Sequence, residues 1–194
     1  DGFWFALRNR ATGVATWLME ADACRVYGSY TEFDYRVEPL QVTRRDFVPD
    51  GLAGLAVTIT VQTPPDFTDN LELVVLVRSD LRPAWLGAEA GLHDAADQVA
   101  VAENQRHLRF TDGANPWVAL VGGSTAIQEV RLGNDAGLLQ PTMGQGVTAQ
   151  LVFRLHTRTE HTVVATLYVA GSLVDEAAAL ESYARLRTEY GALF

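Results

Sequence analysis

Leu55-Ala56-Val57-Thr58-Ile59-Thr60-Val61-Gln62 alternates apolar and wetter side chains, and Leu71-Glu72-Leu73-Val74-Val75-Leu76-Val77-Arg78 is apolar almost throughout its centre. Successive side chains of a strand point to opposite faces, so the first run has one buried face and one wetter face. The second run is apolar on both faces, which predicts a strand inside a sheet with something packed on each side. Pro64-Pro65-Asp66-Phe67-Thr68-Asp69-Asn70 lies between them and can continue neither strand nor helix. This unit, residues 54–85, predicts a β protein, and the rest of the chain is read outward from it.

Towards the N-terminus, residues 3–8 and 14–19 read as two short strands. Asn9-Arg10-Ala11-Thr12-Gly13 joins them, a length that suits a hairpin with Gly at the strained position. Trp4 and Trp17 are expected in the core, because aromatics favour half-buried pleated surfaces. Residues 33–48 read as one long strand. Tyr35 and Val37 share one parity and Leu40 and Val42 the other, so Pro39 is expected at a bulge or an edge. Arg44-Arg45-Asp46 is expected to be a solvated strand end with a local ion pair.

Towards the C-terminus, residues 87–96 read as a loop or brief helix. Short strands are expected at 98–102, 107–111, 117–122 and 127–132, each bounded by turn residues. Such regular spacing marks a sandwich or barrel. Residues 147–158 and 162–170 alternate cleanly, and Thr159-Glu160-His161 between them predicts a second hairpin. The chain then changes character. Residues 173–190 contain neither Gly nor Pro and are good helix formers. Ser172 is the expected cap, with Asp175 as its capping-box partner. Leu173, Ala177, Leu180 and Ala184, extended by Leu186 and Tyr190, are the expected apolar stripe. The reading is therefore mainly β: an antiparallel two-sheet sandwich over residues 1–171 and a C-terminal helix over 172–194. That helix either leads to a further domain or packs over the sandwich.

Composition limits function more than it specifies it. The 194 residues suit one large domain, and 48% of them are hydrophobic. No apolar run approaches the roughly 18 residues that span a bilayer, and no signal-peptide pattern is visible; cytoplasmic residence is the default expectation. The chain begins Asp1-Gly2-Phe3-Trp4, as a trimmed chain or a piece of a longer protein would. Net charge is −9 and every basic residue is arginine, which argues against a nucleic-acid footprint. Cys24 is the sole cysteine, so no internal disulfide forms, and a buried, inert thiol is expected. His93, His107, His156 and His161 show no metal-ligand spacing, so neither metal nor cofactor is expected. Gly122-Gly123 and Gly144-Gln145-Gly146 read as turns rather than phosphate loops. Ser124 and Ser172 lack the nucleophile-elbow setting.

Two groups could touch a ligand. Arg78, Asp80, Arg82 and Trp85 sit where the main core strand runs into a loop, and charged groups beside a tryptophan are what sugar sites use. Arg154, His156 and Arg158 share one face of a strand and could hold hydroxyls or a carboxylate, although a solvated sheet face has the same pattern.

Several segments together resemble one family. They are residues 3–19, Asp34-Tyr35-Arg36-Val37-Glu38-Pro39-Leu40-Gln41-Val42-Thr43-Arg44-Arg45-Asp46-Phe47-Val48, residues 55–62, and Asn70-Leu71-Glu72-Leu73-Val74-Val75-Leu76-Val77-Arg78-Ser79-Asp80-Leu81-Arg82-Pro83-Ala84-Trp85. They look like the N-terminal domain of bacterial glycogen-debranching-type amylo-α-1,6-glucosidases, relatives of glucoamylases with an (α/α)6 catalytic barrel. The resemblance implies a β-super-sandwich similar to galactose mutarotase, and a helical linker at residues 172–194 into the barrel as partner. It implies no catalytic residue in this chain, because the carboxylate pair of such glycosidases belongs to the barrel. It also implies a domain that supports the barrel and helps to shape an α-glucan cleft, with Arg78–Trp85 as the lip. Two alternatives stay open: a mutarotase or epimerase using His156 with Glu129 or Glu160, and a carbohydrate-binding module without chemistry.

Overall fold

The computed structural model describes residues 2–83, 86–102, 106–133, 144–157 and 160–193. In chain order the strands are β1 (Gly2–Asn9), β2 (Ala15–Trp17), β3 (Ala23–Val26), β4 (Tyr30–Val37), β5 (Leu40–Phe47), β6 (Gly54–Gln62) and β7 (Leu71–Ser79). They continue with β8 (Gln98–Val101), β9 (His107–Thr111), β10 (Val118–Gly123), β11 (Glu129–Leu132), β12 (Val147–Leu155) and β13 (Thr162–Ser172), and the helix α1 (Glu176–Leu193) follows. The strands form two antiparallel sheets. The smaller runs β11-β12-β7-β1-β2 and the larger runs β3-β4-β5-β6-β13-β10-β9-β8.

The core lies between the sheets. Phe5, Leu73, Val75, Leu151 and Phe153 of the smaller sheet meet Val57, Ile59, Leu108, Phe110 and Leu167 of the larger, all nearly inaccessible. Burying each such side chain stabilises the fold by about 1.5–3 kcal/mol. β7 is buried on both faces, as its composition predicts. Its inner face meets the larger sheet. Its outer face carries Val74, which clusters with Ala6 and Val152 under the ring of Trp17.

The hairpin of β1 and β2 forms as expected, with Gly13 at φ +73° in the turn. Two local readings are corrected. Residues 33–48 are not one strand: β4 and β5 form a hairpin whose two-residue turn is Glu38-Pro39, joined by a cis peptide. The parity switch across Pro39 is the trace of that turn. In an antiparallel pair joined by two residues Val37 faces Leu40 and Tyr35 faces Val42, so all four share one side of the sheet. Residues 147–170 are not a hairpin either. β12 pairs with β7 and β11 in the smaller sheet, and β13 pairs with β6 and β10 in the larger. Sheets lie about 10 Å apart, a gap the short connection crosses. Alternation marks each strand but does not say which strand it joins.

α1 forms a third layer on the outer face of the larger sheet. Ala179, Tyr183 and Leu186 are buried against Ala56, Leu120, Tyr168 and Ala170, with Tyr190 partly buried at the far end. The helix starts later than Ser172 suggests. Asp175 caps it, its Oδ1 accepting the Ala178 N–H at 2.8 Å. Ser172 Oγ instead accepts from the N–H groups of Val174 and Asp175, closing a turn after β13. This turn leaves Leu173 and Val174 exposed and rotates the buried stripe to 179, 183, 186 and 190, so Ala177, Leu180 and Ala184 face solvent. Among the described residues no helix is long and apolar enough to cross a membrane.

Three side chains sit elsewhere than expected. Trp4 and Trp17 lie half-buried on the outer face of the smaller sheet, not in the core between the sheets. Cys24 is exposed, because β3 is the edge of the larger sheet. Arg44 does pair with Asp46 at 2.6 Å, but its guanidinium lies 5.2–5.4 Å from the ring centroids of Phe3, Phe5 and Phe33, at the rim of the core.

Candidate functional site

β7 ends at one end of the sandwich, and the chain leaves it through Asp80, Leu81, Arg82 and Pro83. Asp97 holds this exit. Its Oδ2 accepts hydrogen bonds from the Ser79 hydroxyl and the Leu81 N–H, both at 2.9 Å. Burial pushes the Asp97 carboxyl above its ordinary range; those two hydrogen bonds oppose the shift, and Asp112 and Asp80 nearby add to it. Burial also pulls the Asp112 carboxyl upward, but hydrogen bonds from the N–H groups of Ala114, Asn115 and Ala95 and from the Asn115 side chain outweigh it and hold it low.

Asp80 is the unusual member. Its side chain is only 2% exposed, yet among the described residues neither carboxylate oxygen has a hydrogen-bond partner. Arg82 Nε lies 3.4 Å from its Oδ2. Gly144 packs so closely that a Cβ there would overlap the carboxylate. Asp80 and Arg82 border a cavity of about 630 Å³, walled by Leu81, Pro83, Leu92, Trp117, Val118 and Leu173. The volume and the apolar walls with a few polar groups are those of a small-ligand pocket.

The predicted loop group is thus divided. Asp80 and Arg82 share the cavity. Arg78 points to the outer face of the smaller sheet, its guanidinium 5.7 Å from the Trp4 ring centroid. Trp85 lies outside the described residues. The aromatic that does line the cavity is Trp117, which sequence reasoning passed over; it directly precedes β10, after the turn residues Asn115 and Pro116. Of the second group, Arg154 and His156 are exposed and Arg158 lies outside the described residues. Arg154 pairs in register with Glu72, six residues from Arg78 along β7, or about 20 Å. The two groups therefore occupy opposite ends of one sheet. His156 and Glu129 do not converge: Glu129 faces Val152, four residues or about 13 Å along β12 from His156. Glu129 is instead bound to Arg131 at 2.6 Å and to Arg8 at 3.4 Å.

A second cleft, about 480 Å³, lies between β8, β9 and the first turn of α1, with His107, Arg109 and Glu176 on its walls. Arg109 Nη1 donates to Glu176 at 2.7 Å, tying the sheet to the helix start. Burial lowers the pKa of His107, opposed by the charge of Glu176. Among the described residues no cluster of three or more His, Cys, Asp or Glu side chains could hold a metal ion.

No protein-family model matches this chain. No curated protein matches it in sequence. Solved structures do match its fold. A bacterial glucoamylase, solved with acarbose, superposes on 98% of this chain with a TM-score of 0.68 at 8% identity. A polysaccharide lyase covers 93% of the chain with a TM-score of 0.56 at 12% identity. An inverting mannosidase of glycoside hydrolase family 92 from Bacteroides thetaiotaomicron covers 96% with a TM-score of 0.50 at 11% identity. The chain spans 29%, 27% and 24% of those three proteins' lengths.

Proposed function

We propose that this chain is the β-super-sandwich domain of a carbohydrate-active enzyme of the glucoamylase and glycogen-debranching type. In this reading it performs no chemistry alone, supports an (α/α)6 catalytic barrel and acts in the context of α-glucans. The observation that carries the reading is the superposition of nearly the whole chain, both sheets included, on less than a third of a bacterial glucoamylase. Two carboxylates near the cavity have structural roles that agree with it. Asp97, through Oδ2, and Asp112 accept hydrogen bonds that hold the exit loop and the β9–β10 turn. Acid–base catalysis at a glycosidic bond needs two carboxyl groups facing the bond across a cleft, with room for the sugar between them.

Within this proposal Asp80 and Arg82 belong to the lip that a barrel would meet, and α1 is the segment leading towards it. The test is an assay of the isolated chain on glycogen and maltooligosaccharides. No release of glucose is expected, and turnover at an ordinary enzyme rate would refute the proposal.

A further inference from the structure

The outer face of the smaller sheet gathers positive charge on an acidic chain. Strand register sets Arg8 opposite Glu72 and Glu72 opposite Arg154. The next outward row sets Trp17 opposite Ala6, Ala6 opposite Val74, Val74 opposite Val152 and Val152 opposite Glu129. The third sets Trp4 opposite Leu76, Leu76 opposite Gln150 and Gln150 opposite Arg131. Arg78 and Thr148 are opposed in the last. Arg10 follows β1 and reaches back to Glu72, with Nε at 3.8 Å. Asp69, at the same end, is held by Asn9, whose register position is that of the inward Phe5 and Leu7. Five arginines thus stand against two glutamates on this face, while the chain as a whole carries −9.

The ion pairs leave that excess standing. Arg8 binds Glu72 at 2.8 Å and Glu129 at 3.4 Å, and Arg131 binds Glu129 at 2.6 Å. Arg10, Arg131 and Arg154 are exposed, and Arg154 enters no ion pair among the described residues. The indoles, at diagonal positions of neighbouring strands, act as supports. The Arg78 guanidinium occupies the face of Trp4, and Trp17 covers Ala6, Val74 and Val152. From Glu72 to Arg78 is six residues of β7, about 20 Å. The charges are therefore spread along an open sheet rather than gathered at one point.

We propose that this face binds a short acidic oligosaccharide of the uronate class, with its carboxylates on Arg154, Arg131 and Arg10. The planar guanidinium fork matches a carboxylate with two parallel hydrogen bonds. Charge complementarity selects the anion, and its short length keeps it on the face. Salt screens exposed charges beyond roughly 8 Å, so a ligand confined to these strands meets their arginines more than the acidic remainder of the chain. A long nucleic acid would run on over that remainder, where its phosphates are repelled. The choice of a carbohydrate among anions rests on the carbohydrate-active part of the function proposed above, not on its α-glucan part; the charge of the face rests on neither.

The experiment titrates hexagalacturonate into the chain, followed by calorimetry and indole fluorescence, with an oligoglutamate and single-stranded DNA of matched charge as counterparts. Saturable binding of hexagalacturonate is expected, weaker binding of the two counterparts, and no competition from maltohexaose. Raising salt from about 0.05 to 0.2 M should weaken binding several-fold. Arg154→Gln and Arg131→Gln should each weaken it about three- to tenfold, the loss of one charge-assisted contact. Arg185→Gln removes the same charge from an exposed position on α1, behind the other sheet, and should leave it unchanged. Circular dichroism and melting establish that each variant is folded, and Arg154→Gln carries the test alone if Arg131→Gln is not. The proposal is overturned if hexagalacturonate does not bind, if maltohexaose competes with it, or if oligoglutamate or DNA binds as tightly. It is equally overturned if Arg154→Gln and Arg131→Gln leave binding unchanged, or if Arg185→Gln weakens it as much. Those outcomes leave the accessory-domain reading standing, whereas glucan turnover by the isolated chain removes that reading and leaves the anion site.

Discussion

Glu32 carries a charge that three strands share. From the middle of β4 it accepts hydrogen bonds from Arg25 of β3 and Arg45 of β5, and its own side chain is 8% exposed. Hydrogen bonds from Arg25, then from Arg45, hold its carboxyl below the ordinary range against the cost of burial. A depressed carboxylate contributes stability that is present above its unfolded pKa, about 4.3, and lost as pH falls through the folded value. Glu32→Gln should therefore melt below the parent at pH 7, and the gap should close below about pH 4. A gap that persists undiminished at pH 3 would contradict this account. Asp97 acts the other way, because burial raises its carboxyl and its charged form is the costly one. Its value lies in its acceptors. Asp97→Ala strips partners from the Ser79 hydroxyl and the Leu81 N–H and should cost about 1–3 kcal/mol in denaturant titration, whereas Asp97→Asn keeps an acceptor and should cost less. Neither role was legible in the sequence. Glu32 and Asp97 look like any surface acids until the strands on either side of them are known.

At the scale of elements, α1 tests how far periodicity carries. Composition identified the helix correctly, because a run without Gly or Pro and rich in Ala, Leu, Glu and Arg has little else to become. Its buried face was misread, because two apolar residues, Leu173 and Val174, precede the helix in a turn and shift the apparent stripe. The contact itself is tight. Tyr183 donates to the Arg106 carbonyl at 3.3 Å over Gly122, where a Cβ would overlap both the Tyr183 hydroxyl and that carbonyl. Burial pushes the Tyr183 hydroxyl up to about 12. Leu186→Ala should lower unfolding free energy by about 2–5 kcal/mol, and Gly122→Ala by about 1–3 kcal/mol through overpacking, both measured by chemical denaturation. Equal stability of Gly122→Ala and the parent would mean that the helix does not lie as described. At the same scale, the β4–β5 hairpin was present in the sequence as a parity switch and a proline, but those marks fit a bulge as well as a turn until the pairing of Val37 with Leu40 is seen.

The whole molecule is assembled by distant pairings: β1 with β7, β6 with β13 and β12 with β7. Such topologies close long loops before any contact rewards them, so refolding in milliseconds to seconds is expected rather than microseconds. β13 is central, held between β6 and β10. A chain ending at residue 161 should fail to fold. One ending at residue 174 should keep both sheets but bare Leu120, Tyr168 and Ala170, bind a hydrophobic dye and self-associate. A monomeric, dye-silent product from the second truncation would contradict α1 as a covering layer. The sequence alone determined most of the strands, the terminal helix and the mainly β class, because the spacing of apolar side chains along a chain is a local property; it missed β3 and read β4 and β5 as one strand. It also revealed that β7 is buried twice over. Only the tertiary structure decided which sheet each strand joins, that β12 and β13 part company, that Asp80 is buried with no hydrogen-bond partner among the described residues while Arg78 turns to another face, and that Trp4 and Trp17 stand side by side on the outside. Those are relations between residues far apart in the chain, and alternation within a strand carries no record of its neighbours.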